Sequence, residues 1–348
     1  MDFGARMVFS SKYIWVFLIA GLVLSSCNGE DIHLRELNKG KEIPEQGVAD
    51  FAEESSNISQ LDHTLTQNPW LVSDSQFQNT IAQGGVFEGQ AGCPTLKSPS
   101  SGSHVAWLLN QTDGYGVSSG CLPNKWSVHG SGYRSNSSMR QLIVNDSPGA
   151  GIAMTSKDFW GGRCRNDGEG WPHFLFEQQF AGKFSQNQLI IGNNSEIFIH
   201  LDFKVNSVTK YSCHNYDSGK HAAQFLATIK LDHVDGGDHG LWIQLPIYDN
   251  RIAQTREYFQ NDQHGTPTFV IEQAKFRSSG SWHDGRRHGF SWNIKNEIQR
   301  GLDICYYHGK CVTNNSFKYK IHSVNVGWEV TGKFHVDSQL YFIGLATR

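Results

Sequence analysis

The sequence predicts an all-β protein: two antiparallel sheets packed face to face as a jelly-roll or lectin-like sandwich. Three observations predict it. From Pro172 onward, apolar residues recur at every second position, the period of a strand with one buried face. Continuous apolar runs, the mark of a parallel sheet covered by helices, are confined to the start of the chain. Glycine is abundant, at 36 of 348 residues, and with Ser and Asn it breaks the chain between Gly84 and Gly170 into short apolar pieces, as turns do.

Taken in chain order, the first element is a leader. Arg6 and Lys12 precede an unbroken apolar run from Tyr13 to Leu24, followed by small residues. A cationic start, a short apolar core and a small-residue exit form a secretory signal, and the run is too short for a stable membrane span. Leu24-Ser25-Ser26-Cys27 resembles the bacterial lipoprotein cleavage box, which implies that Cys27 becomes the lipidated first residue. Residues 1–27 are therefore expected to be a signal peptide, and 28–82 a polar tether too poor in large apolar residues to bury a core. The sandwich is expected over 83–348, with 83–170 as its loop-rich N-terminal part.

The strands come next. In Glu196 to Asn206, the residues Ile197, Ile199, Leu201, Phe203 and Val205 read as one face, with Phe198, His200, Asp202 and Lys204 on the other. In Ala223 to Asp232 the inward set is Phe225, Ala227, Ile229 and Leu231. In Leu241 to Arg251 it is Leu241, Ile243, Leu245 and Ile247, with Trp242, Gln244, Tyr248 and Asn250 outward. Val324, Val326, Trp328 and Val330 alternate with Asn325 and Glu329; Phe174 and Phe176 oppose Glu177, and Gln178 interrupts the inward set. Gly236-Gly237 predicts a hairpin loop, and Ile294 to Leu302 the one short helix.

Setting aside Cys27 leaves six cysteines, an even number that suits an oxidising compartment. Cys305 and Cys311 bracket a tight turn at Gly309 and are the most readable pair. His308 between them raises zinc as an alternative, but no C-x-x-C pair occurs. Thirty Lys+Arg against 33 Asp+Glu give a net charge of −3, which offers no field for nucleic acid and no polybasic patch for lipid. The membrane is expected as a partner only through the lipid anchor, which places the protein in the periplasm or on the cell surface; an ordinary secretory signal cut near the same place would leave it secreted.

Function is expected on the outward sets, because packing does not require what they contain. Aromatic faces pack on the apolar side of sugar rings, while Gln, His and Asp satisfy hydroxyls. The expected glycan-binding residues are Phe198, Gln224, Trp242, Gln244 and Arg251. A glycosidase needs two carboxyls across the scissile bond, and Glu177 with Glu329 is the expected pair, Asp202 a further candidate. A polysaccharide lyase would instead use a base such as His200 or Tyr248, with Gln244, Asn250 or Arg251 against a uronate. The sequence does not separate hydrolase from lyase, and it leaves open a non-catalytic binding module or a surface adhesion protein. No cofactor is required. A Ca²⁺ site in the loop Asp232 to His239 is conceivable, although Gly236-Gly237 already explains the segment and the EF-hand order is missing. Gly116 to Gly120 matches a nucleophile elbow by composition, without the strand before it or helix after it.

Overall fold

The computed structural model describes residues 71–72, 149–180, 183–237, 240–261, 265–277 and 282–348. It also describes Trp107 and the backbone of five strands between 81 and 144. Cys27 with the signal, Cys93, Cys121 and the Gly116 to Gly120 motif lie outside the described residues.

Alternation dictates the architecture. Each strand with one apolar face must bury it, and two such sheets satisfy each other. Among the described residues, one sheet runs β1 (Ile81–Gly84), β2 (Trp107–Thr112), β7 (His173–Gln179), β14 (Tyr319–Val330), β9 (Ala223–His233), β10 (Leu241–Asp249), β12 (Pro267–Val270), β11 (Tyr258–Asn261). The other runs β13 (Arg287–Asn293), β8 (Ile197–Lys210), β15 (Phe334–Thr347), β6 (Ala150–Thr155), β5 (Arg140–Val144), β4 (Gly132–Ser135), β3 (Trp126–His129). Pairing is antiparallel except for β1 with β2 and β10 with β12. The fold is a two-sheet β-sandwich, as the alternation predicts.

The core lies between the sheets. Phe203 of β8 meets Phe225 of β9 at 6.1 Å between ring centroids, and Phe225 meets Trp328 of β14 at 5.2 Å. The inward rows Ile197 to Val205, Phe225 to Leu231 and Val324 to Val330 all belong to this single cluster. Each fully buried Leu, Ile or Phe contributes roughly 1.5–3 kcal/mol. Gln178, which interrupts the apolar pattern, is nonetheless fully buried.

The hairpin between β9 and β10 turns at Gly236 and Gly237, both at positive φ, where a side chain would be strained. A single turn, α1 (Gln186–Leu189), precedes β8, and its Ser185 makes a capping box with Gln188. The longer helix, α2 (Lys295–Tyr307), buries Ile298, Leu302 and Cys305, and its Gly301 faces Ile243 and Phe269 so closely that a Cβ would reach them within 3 Å. It therefore closes the core beneath β10 and β12. It extends past Leu302 because Gly309, at φ 64°, ends it in a Schellman motif: Lys310 N–H donates to Cys305 O and Gly309 N–H to Tyr306 O.

One boundary needs correction. Leu71 and Val72, inside the expected tether, are buried in the core, and Leu71 N–H donates to Leu345 O of β15 at 2.8 Å. The sandwich unit therefore begins before residue 83. The run Trp70-Leu71-Val72 in a polar segment is too short to show a period, so nothing local marks this pair as an anchor.

Candidate functional site

The predicted outward residues do not form one face. Phe198, His200 and Asp202 stand on the outer side of β8, in the seven-stranded sheet, whereas Glu177, Gln224, Trp242, Gln244 and Glu329 stand on the outer side of the other sheet. The two sets point away from each other across the sandwich. Alternation assigns inside and outside within a strand, but it does not say which sheet receives the strand.

Asp202 is buried and paired with Arg287. It is 4% exposed, and the Arg287 guanidinium grips both its oxygens while lying over the Tyr341 ring at 4.1 Å. His200 is buried beside Phe198, and desolvation pushes its imidazole down to about 4. A base that must meet a polysaccharide is not placed there.

Tyr248 is a second correction. A β-bulge between Pro246 and Tyr248 shifts the register, so Tyr248 pairs with Phe225 and turns inward, its ring 5.8 Å from that of Trp328. The same bulge turns Asp249 outward. Pro246 in mid-strand was the available signal, since proline inside a sheet marks an edge or a bulge.

The outer face of the eight-stranded sheet can be built row by row from the register. One row crosses Glu177, Asn325, Thr228, Gln244, Val270 and Tyr258. On one side of it runs Gln179, Ser323, Lys230, Trp242 and Thr268. On the other side, past Leu175, Gly327, Leu226 and Pro246, runs His173, Glu329, Gln224 and Asp249. Gly327, at φ 153°, brings β14 and β7 so close that a Cβ would sit 2.1 Å from Phe174 O. Trp242, Gln244, Gln224, Tyr258 and Glu329 are half-buried, and the small Thr228 and Asn325 between them are buried.

The charges on this face are organised in pairs. Lys230 Nζ donates to Glu177 Oε1 at 2.9 Å, and Ser323 Oγ donates to the same oxygen at 2.7 Å. Lys230 also lies over the Trp242 ring at 5.2 Å. Arg251 donates Nε and Nη2 to the two oxygens of Asp249 at 2.9 and 2.6 Å, and Nη1 to Gly219 O at 3.1 Å. Gln224 Nε2 adds a bond to Asp249 Oδ2 at 2.8 Å. Burial pushes the neighbouring Tyr258 phenol up to about 12.

Glu177 and Glu329 share this face but do not form a pair. Glu177 lies opposite Asn325, four residues from Glu329 on the same strand, so their backbones are about 13 Å apart along it. The Glu177 carboxylate leans further away, toward Ser323 and Lys230. Both spacings known for glycosidase pairs, about 5–5.5 Å and roughly 6.5–9.5 Å, are exceeded. Glu329 and Asp249, the second of which the sequence reading missed, flank Gln224 across two strand spacings, roughly 9–10 Å between backbones.

Cys305 and Cys311 are bonded as expected, and Cys164 is bonded to Cys213. Among the described residues no group of three His, Cys, Asp or Glu side chains could hold a metal ion, and no helix is long and apolar enough to cross a membrane.

No protein-family model matches the chain, and no curated protein sequence matches it. Solved structures resemble it distantly. A family 12 xyloglucanase from Bacillus licheniformis is 9% identical, over 60% of this chain and 86% of its own, with a TM-score of 0.37. An endoglucanase from Rhodothermus marinus is 9% identical, over 61% and 92%, with a TM-score of 0.33. An endo-1,4-β-glucanase, CelB2, is 11% identical, over 61% and 94%, with the same score. A likeness this remote transfers no residue and no substrate.

Proposed function

We propose that the protein is exported, anchored through a lipid on Cys27, and binds and hydrolyses a polysaccharide on the outer face of its eight-stranded sheet. One observation carries the reading. Glu329, Gln224 and Asp249 stand in a row across three adjacent strands, on the same face as the Trp242 plate and the Gln244 amide. Trp242 offers a ring for the apolar side of a sugar, and the amides offer hydrogen bonds to hydroxyls. Glu329 is the proposed acid. Asp249, 3% exposed and held through both oxygens by Arg251, fixes the Gln224 amide beside it.

Hydrolysis is favoured over lyase cleavage by the pairing of cations. Lys230 on the face and Arg251 just past the end of β10 are each engaged by a carboxylate, and Arg251 is held through three nitrogens. Neutralising a uronate would require breaking one of these pairs, so a neutral glycan is the better fit. His200 and Tyr248 do not reach this face. A non-catalytic glycan-binding role is the second reading, and it draws support from the engagement of both Asp249 oxygens. A depolymerisation screen against neutral and uronate polysaccharides separates the three. New reducing ends without ultraviolet-absorbing products are expected. Unsaturated products would establish a lyase, and retention on a glycan with no cleavage a binding module.

A further inference from the structure

Tyr258 enters the outer face of the eight-stranded sheet from its last strand, β11. It pairs with Val270 of β12, which pairs with Gln244 of β10, so its side chain stands on the Gln244 side of the sheet. Its reach follows from the charges that bear on it, which are Arg251, Asp249 and Glu329. β11 and β14 are four strand spacings apart, about 19 Å on a flat sheet, so a phenol that feels Glu329 leans far across the face. Gln224 lies between the two carboxylates, opposite Glu329 on one side and opposite Asp249 on the other. A phenol near both therefore stands over Gln224. The fold makes no use of the hydroxyl: among the described residues none hydrogen-bonds it, whereas a buried tyrosine ordinarily finds a partner. Gln224 is turned in one sense. Its Nε2 donates to Asp249 Oδ2 at 2.8 Å, and Arg251 holds both Asp249 oxygens. A carboxylate only accepts, so the amide cannot be reversed and its Oε1 acceptor faces away from Asp249.

We infer that the Tyr258 hydroxyl and Gln224 Oε1 are a donor–acceptor pair that reads the hydroxyls of the sugar seated at Glu329. The inference rests on the polysaccharide reading of this face. A sugar hydroxyl both donates and accepts, so one sugar gives an O–H to Gln224 Oε1 and takes one from Tyr258. Burial pushes the phenol up to about 12, so it stays a donor throughout the neutral range. The pair also selects the form of the ligand. A sugar methylated at these hydroxyls has no proton to give, and it would leave the Gln224 acceptor desolvated and unmatched. The substrate is therefore a glycan whose hydroxyls are unsubstituted at the sugar next to Glu329.

The test compares wild type and Tyr258→Phe, as full chains, in native gels containing xylan, galactomannan, a soluble β-1,3-glucan or a mixed-linkage β-glucan, each also in an extensively O-methylated form. The Phe variant keeps the ring and loses only the hydroxyl. A thermal melt verifies its fold, and the gels are run at 4 °C so that a variant of lowered midpoint is still folded. The expected result is retardation of the wild type by at least one unmodified polymer, with affinity about tenfold weaker in Tyr258→Phe. On the methylated form of that polymer the seat is blocked, so both proteins should bind weakly and alike. Equal retardation of the two proteins by the unmodified polymer would overturn the inference and leave the Glu329 reading untouched. An equal loss in Tyr258→Phe on both forms would also overturn it, since the phenol would then act through the fold. Full retardation of the wild type by the methylated polymer would overturn the selection of free hydroxyls. A wild type that no polymer retards would overturn the polysaccharide reading, and the inference with it.

Discussion

The Lys230 ammonium bridges Glu177 and Trp242: it donates to the Glu177 carboxylate at 2.9 Å and lies 5.2 Å from the centre of the indole. One side chain thus neutralises a carboxylate that is only 2% exposed and supports the aromatic plate on which the sugar is proposed to rest. The charge of Glu177 is a structural element of the face, which is why its removal should be felt in stability before it is felt in chemistry.

Lys230→Met should destabilise the fold by about 3 kcal/mol, because Glu177 would be left buried and unbalanced. Adding Glu177→Gln should recover most of that loss. A double-mutant cycle in urea measures the coupling, and additive single effects would show that the pair is not the source.

On the opposite sheet, Leu201→Ala should cost about 2–5 kcal/mol through lost burial and a cavity. Asp202→Ala should cost about 1 kcal/mol by removing its paired hydrogen bonds to Arg287, whose exposed guanidinium water can then solvate, and it should leave glycan handling unchanged. An outward position alone would suggest a neutral substitution. Denaturant melts and polysaccharide-retardation gels on the two variants decide between these expectations.

His200 makes stability pH-dependent. Its imidazole titrates at about 4 in the folded chain and near 6.5 when unfolded, so the unfolded state binds more protons between those values. Stability should therefore fall as pH drops from 6.5 to 4, by up to about 3 kcal/mol from this group. His283, also lowered by burial, acts in the same direction. The lowered Asp232 is lost only below the ordinary carboxylate range, outside this window. Urea midpoints measured across pH 4–7 for wild type and His200→Gln should show a flatter profile in the variant.

The two disulfides differ in span, 6 residues for Cys305–Cys311 and 49 for Cys164–Cys213. Loop-closure entropy gives roughly 2 and 4 kcal/mol respectively. Cys164→Ser/Cys213→Ser should accordingly lower the thermal midpoint more than Cys305→Ser/Cys311→Ser. The reverse order in a calorimeter would mean that the short bridge acts mainly through the folded loop it shapes.

The sandwich was legible because strict alternation leaves little choice about inside and outside. Ile197 to Val205 and Phe225 to Leu231 are buried as read. Two kinds of information were not legible. The partner sheet of each strand depends on long-range pairing, so Phe198, His200 and Asp202 were grouped with residues on the far side of the molecule. Register also changes at bulges, and Pro246 exchanged the roles of Tyr248 and Asp249. Glu177 and Glu329 were correctly placed on outward sets, but their spacing required knowing which residues of β7 and β14 stand opposite each other. Disulfide Cys164–Cys213 had no local signal, whereas Cys305–Cys311 announced itself by its short turn.

The central claim is that Glu329, beside Gln224, is the acid that cleaves a glycan held by Trp242 and Gln244. Its most direct test is Glu329→Gln, which keeps shape and removes the ionisable group, assayed for reducing-end release and for retardation on the same polysaccharide. Activity should fall by at least a hundredfold, in line with typical general acid–base contributions of about 10²–10⁴, while binding stays unchanged. Full activity in the Glu329→Gln protein would contradict the account.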